Sequence, residues 1–193
     1  MPANFRALLT NPRGQVCFSS VALEGIFLFG VFPYVAVLLL AAGEGRAFIA
    51  GLVIAAFAIG GVVYSLSVKY MLRYMDQPRL MIAGGALMAL CLAVVAFAPP
   101  WPVQCIAFGA MGCGFYMLHG SIQFYVTELA PDARASAVAM HSLFFCSGQA
   151  IGPIAFGIGL AFLGAPISLT ISALAMALIG FVAARLLMRP KPV

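Results

Sequence analysis

The sequence predicts an all-α membrane protein with six transmembrane helices. Three observations predict it. Hydrophobic residues make up 64% of the 193 and charged residues only 8%, with a mean hydropathy of +1.11. A soluble domain carries about half apolar and about a quarter charged residues, and its surface could not hide so apolar a chain from water. The apolar residues fall into six runs of the length that a helix needs to cross a bilayer, about 20 residues. Nine of the ten basic residues then lie on one side of those runs.

The runs are 16–42, 48–68, 80–98, 103–126, 135–163 and 167–188, here segments 1 to 6, and residues 1–15 read as an amphipathic connector ahead of them. The breaks have chemical causes. The polar, Gly-rich stretch 42–46 ends segment 1. Asp76-Gln-Pro-Arg79 and Pro99-Pro-Trp-Pro102 stop helices because proline lacks an amide donor and fixes φ. Residues 128–134 form a polar hinge, and Gly164-Ala-Pro166 is a tight turn. Segment 1 is too long for a signal-peptide core and a second span follows closely, so it reads as retained.

Arg6 and Arg13 precede segment 1; Lys69, Arg73 and Arg79 follow segment 2; Arg134 follows segment 4; Arg185, Arg189 and Lys191 end the chain. Only Arg46 lies across the membrane from them. Positive charge stays inside, which predicts cytoplasmic termini in an inner or plasma membrane. An odd number of spans would destroy this bias. The net charge of +5 is therefore a topology signal and not a nucleic-acid surface, since no Lys/Arg cluster with interleaved aromatics occurs. Cys17, Cys91, Cys105, Cys113 and Cys146 sit in apolar runs with no C-x-x-C pair. They read as packing residues, without a disulfide framework, metal site or cofactor.

Polar side chains are unevenly spread. Segment 3 has no strong hydrogen-bonding side chain, and segment 6 only Ser168, Thr170 and Ser172 before its basic end. Segments 1, 4 and 5 hold nearly all the rest. Polar groups in hydrocarbon are costly unless they face a partner or a watery cavity. Segments 1, 4 and 5 are thus expected to line a shared wet crevice, with 3 and 6 supporting them against lipid.

Glu24 lies ~12 Å into segment 1 at ~1.5 Å per residue. Cys17, Ser20, Glu24, Phe27, Val31 and Tyr34 recur at steps of three and four, one helical face. Glu24 reads as a proton- or cation-binding carboxylate, or else as a buried acid held for packing. Segment 4 carries a second stripe, Gly109, Gly112, Tyr116, His119 and Gln123. Its glycines permit close helix approach. His119 could relay protons, or serve as an interhelical hydrogen-bond partner. On segment 5, Gly148 and Gly152 share a face with His141, Phe145 and Gly159 and suit a tight crossing, while Pro153 permits a bend. Gln149 is a candidate cavity residue, and His141, near the cytoplasmic end, reads as structural.

The stretch Glu128-Leu-Ala-Pro-Asp-Ala-Arg-Ala-Ser-Ala, running into Gly148-xxx-Gly152-Pro153-xxx-Gly157, resembles the fourth-to-fifth-helix loop and following Gly-Pro helix of a major facilitator superfamily transporter. Ala135 stands where that family usually has glycine. Residues Lys69 to Arg79, with Asp76, are similar to its basic loop between second and third helices, without the glycines. Asn11-Pro-Arg13 with Phe5, Leu8 and Leu9 resembles the connector before the seventh helix. The resemblance covers essentially the whole chain and implies the C-terminal six-helix half of such a transporter, itself a 3+3 inverted repeat. It makes Glu128, Pro131 and Arg134, with Asp76 and Arg79, the cytoplasmic loop motif. In flavour it is closest to drug-efflux-like, proton-coupled members.

The resemblance also implies a substrate cavity between two halves, with helices 1, 2, 4 and 5 of each half at that interface. A lone half would leave a polar stripe in lipid. The expected partners are therefore a second six-helix half (another copy or a separate chain), a small organic substrate, protons and the bilayer. Expected along the substrate and proton path are Glu24, Tyr34, Tyr116, His119, Gln123 and Gln149. Two other classes stay open on sequence alone: a truncated or non-transporting membrane subunit, and an intramembrane serine enzyme suggested by His119-Gly-Ser121. The second lacks the Gly-x-Ser-Gly setting such sites use, and segment 6 offers no histidine base.

Overall fold

A computed structural model describes residues 2–188, and all six spans are helices long and apolar enough to cross a membrane. They run Pro12–Ala41, Ala47–Tyr74, Gln77–Ala96, Trp101–Leu129, Arg134–Leu163 and Ala165–Leu187. Most extend a few residues past the apolar runs, because helical hydrogen bonding continues into the polar ends. Arg189 and Lys191 lie outside the described residues.

The connector is itself a helix, Pro2–Thr10. Asn11 ends it and starts the first span: its Oδ1 accepts from the amides of Arg13 and Gly14 at 2.9 and 3.4 Å, and Pro12 occupies the first turn, where no amide donor is needed. Segment 3 begins the same way. Asp76 Oδ1 accepts from the Arg79 amide at 3.0 Å, with Pro78 in the first turn. The connector, the end of segment 4 and the end of segment 6 gather at one end of the bundle. There they enclose a cavity of about 500 Å³ lined by Thr10, Asn11, Arg13, Tyr125, Glu128 and Leu187. At the opposite end, Arg46 Nε donates to Glu44 at 2.8 Å, and its guanidinium holds that carboxyl down at about 2.

Glycines set how the spans pack. Segment 1 crosses segment 5 where Gly25 and Gly30 meet Gly148 and Gly152. A Cβ at Gly152 would lie 2.7 Å from the Ile26 carbonyl, and one at Gly148 would fall on the Ala22 carbonyl. Segment 2 crosses segment 4 at Gly60 against Gly109, with Gly112 on the Phe57 carbonyl. Segment 3 meets segment 6 at Gly85 and Gly180, where an added Cβ would lie 2.7 Å from the Met176 and Met81 carbonyls respectively. Small residues let helix backbones approach in this way, where lipid offers no hydrophobic drive. Gly112, Gly148 and Gly152 stand where a Cβ would meet backbone of the neighbouring helix, and Gly109 supplies the carbonyl against Gly60.

Burial is uneven across the spans: 44% and 50% of the apolar stretches of segments 3 and 6 are buried, against 33% in segment 2 and 17% in segment 5. Gly84, Gly85 and Gly180 draw segment 3 into close contact with segments 4 and 6, whereas segment 5 packs on segment 1 along one face only. The cysteines also divide. Cys17 and Cys91 are core residues, while Cys146 is exposed and packs nothing of the core.

The turn between segments 5 and 6 depends on Gly164, whose φ of 79° and ψ of 169° lie in a region that side chains with a Cβ avoid. Gly164→Ala is expected to cost ~1–3 kcal/mol, read as a lowered midpoint of thermal unfolding in detergent.

Candidate functional site

Segment 1 is not one uniform helix. It is α-helical over Pro12–Glu24, winds as a π-turn over Gly25–Phe29, passes a 3₁₀ turn at Phe32–Tyr34, and resumes as α-helix over Val35–Ala41. The wide turn starts directly after Glu24. Such turns cluster at functional sites because they change which side chains share a face. Because the span begins at Pro12, Glu24 lies deeper than the apolar pattern suggests, ~18 Å from its start at ~1.5 Å per residue.

Glu24 is wholly buried, and its Oε2 shares a 2.7 Å hydrogen bond with His119 Nδ1 of segment 4. Of the two stripes, Glu24 and His119 are the members that meet here. The surroundings are rings rather than an open crevice. His119 stacks on Phe115 at 4.7 Å and is tilted against Phe145 at 4.7 Å. On the outer side Phe29 sets its edge to Phe115 and Phe145, each at 5.3 Å. A carboxylate–imidazole contact in so apolar a setting is strong, because little solvent competes with it. Removing either partner alone would strand the other.

The remaining expected path residues are placed elsewhere. The π-turn advances the register, so Phe29 faces the site. Phe27 instead lines a separate cavity of about 260 Å³ beside segments 5 and 6, with Phe156, Ser168 and Ser172. Beyond the π-turn, the Tyr34 hydroxyl donates to the Pro153 carbonyl at 3.0 Å, tying segment 1 to the proline of segment 5. Tyr116 packs against Gly61 and stacks on Tyr64 at 6.2 Å, on the exposed face of segments 2 and 4. Gln123 is exposed and Gln149 half-buried. A Cβ at Gly25 would come within 2.7 Å of the Gln149 amide nitrogen. The loop-motif residues sit at the end where the connector lies: Asp76 caps segment 3, Arg79 lies 3.9 Å from it, Glu128 lines the end cavity, Pro131 opens a 3₁₀ turn, and Arg134 starts segment 5.

His141, read from sequence as structural, belongs to the site's surroundings. It is buried, and its ring centroid lies 4.7 Å from that of His119. Its place on the Gly148–Gly152 face was the available signal, since that face is the one turned to segments 1 and 4. Ser121 donates its hydroxyl proton to the Met117 carbonyl at 2.7 Å within its own helix. No group of three or more His, Cys, Asp or Glu side chains placed to hold a metal ion occurs among the described residues.

Six apolar spans around a buried acid–imidazole contact define a multi-pass membrane protein. Residues 12–193 match the family model of the Major Facilitator Superfamily, and the chain belongs to that superfamily of transporters. Its six spans are the number in one half of such a fold. No curated protein matches the chain, and no solved structure does.

Proposed function

We propose that the chain is half of a secondary transporter that exports a small organic solute in exchange for protons, with Glu24 as the proton carrier. The observation that carries the reading is the Glu24–His119 contact, a 2.7 Å hydrogen bond between two spans around a wholly buried carboxyl. Ionisable groups held deep in a membrane are expensive and mark ion or substrate paths. Proton occupancy of this pair would alter how firmly segment 1 is held to segment 4. That is the kind of local change that biases one bundle against another during alternating access.

A second six-helix half, either another copy or a separate chain, completes the cavity in this reading. Support comes from the low burial of segments 2 and 5 and from Tyr116 and Gln123 on the exposed surface. The charge bias supports cytoplasmic termini in this reading. The test is efflux from proteoliposomes with ethidium, a fluorescent organic cation, as first probe of a panel of such dyes. Flux that follows an imposed pH gradient, and loses that dependence in Glu24→Gln, is the expected result. Flux equal in the variant and without a gradient overturns the proton-coupled reading.

A further inference from the structure

Only two histidines occur in the whole chain, and they touch one another across segments 4 and 5 at 4.7 Å with an interplanar angle of 62°. His141 is 2% exposed, and its Nε2 is buried without a hydrogen-bond partner. Buried polar atoms are nearly always paired, and an unmade bond is costly. Packing alone therefore gives no account of an imidazole at this position. Glu24 Oε1 is likewise buried and unpartnered. Glu24, His119 and His141 thus form a row, hydrogen-bonded at one junction, with an unmade bond on each end member.

The row also has a direction. At ~1.5 Å per residue, Glu24 lies ~18 Å from the start of segment 1, His119 ~15 Å from the end of segment 4, and His141 ~10 Å from the start of segment 5. Those three helix ends are at the side of the bundle where the connector lies, so each member is nearer that side than the one before. We propose that His141 is the inner station of a proton relay, receiving through His119 the proton that Glu24 carries. The proposal rests on the proton-coupled reading above.

The step balances without a co-reactant. The Glu24 O–H bond breaks as an N–H bond forms at His119 Nδ1. His119 then gives up the proton on its other ring nitrogen, and an N–H bond forms at the unpartnered Nε2 of His141. Imidazole suits this because it accepts on one nitrogen and donates from the other. One proton has moved inward, and His119 is left as its other tautomer until its ring turns or the proton returns. The ring contact must close to hydrogen-bond distance during transfer, which an edge contact between two side chains allows. Of the charged groups on neighbouring elements, Arg185 of segment 6 lies over the Phe181 ring at 5.0 Å, and Arg6 and Arg134 are exposed. His119, and Glu24 through it, are the titratable groups facing His141.

Because the chain has two histidines, ¹⁵N-histidine labelling of the full protein in lipid nanodiscs yields two imidazole signal sets, and His119→Gln and His141→Gln assign them without any substrate. Coupled groups titrate as a set. Glu24→Gln and His119→Gln are each expected to move the His141 midpoint by about one pH unit, a tenfold change in proton affinity. A His141 midpoint that coincides in wild type and Glu24→Gln overturns the relay. Glu24→Gln decides the matter even if His119→Gln fails to fold, since the amide retains a hydrogen bond to His119. Coupled titration with pH-independent ethidium flux would sink only the transport reading. Uncoupled titration with proton-driven flux would sink only the relay.

Discussion

Gly148→Leu is expected to abolish the folded bundle. A Cβ at this position falls on the Ala22 carbonyl oxygen and lies 2.9 Å from its carbon and 3.1 Å from its Cα. These are backbone atoms, so no side chain can rotate away; the two helices must separate. Overpacking a tight site costs ~1–3 kcal/mol and occasionally more. Even Gly148→Ala is expected to reach the upper part of that range, since its one carbon meets main chain. Leucine adds three more carbons in the same place. Size-exclusion profiles in mild detergent read the outcome, with a monodisperse peak for wild type and aggregate for the variant. Gly51→Ala is the control. It lies in segment 2, exposed, with nothing within 4 Å of an added Cβ. There alanine is expected to be neutral or to stabilise by ~0.5–1 kcal/mol, because glycine weakens a helix interior. A Gly148→Leu protein as stable as wild type would show that the first and fifth spans do not cross as described.

The second large effect is at the buried pair. His119→Ala leaves the Glu24 carboxyl wholly buried with neither oxygen partnered. Removing one partner of a buried pair typically costs ~3–5 kcal/mol. Glu24→Ala should cost less, because the stranded His119 side chain is 14% exposed whereas Glu24 is fully buried. The double variant should be more stable than the sum of the singles implies, since both stranded groups disappear together. Chemical unfolding in detergent–lipid mixtures measures all three. Additivity within ~0.5 kcal/mol would mean the two side chains do not interact.

How much of this could be read in the sequence follows from what periodicity encodes. The spans are legible because a bilayer imposes length and apolarity on each helix independently of its neighbours. The stripes of segments 1 and 4 are legible too, and Glu24 and His119 lie on them. Partner choice is not encoded in a single helix. Tyr116 and Gln123 share a stripe with His119, yet a long helix twists relative to its neighbours, and they emerge on the exposed side. Counting threes and fours puts Phe27 and Tyr34 on one face with Glu24, which assumes a regular helix. The π-turn over Gly25–Phe29 breaks that count, and nothing in Gly-Ile-Phe-Leu-Phe announces it. Segments 3 and 6 have few polar groups to mark a partner, and it is Gly85 against Gly180 that brings them together. His141 reads as structural because it is near a helix end; only the crossing of segments 4 and 5 brings it beside His119.

The wide turn in the first span has a further consequence for how its two ends are keyed. It holds one residue more than a regular turn would, so the stretches before and after it answer to different neighbours. Glu24 is aligned on the fourth span, whereas Tyr34 is tethered to the carbonyl of Pro153. Deleting one residue within Gly25–Phe29 would leave a regular turn in place of the wide one, so the stretches on either side would keep their present facing, with Glu24 still turned to His119 and Tyr34 to Pro153.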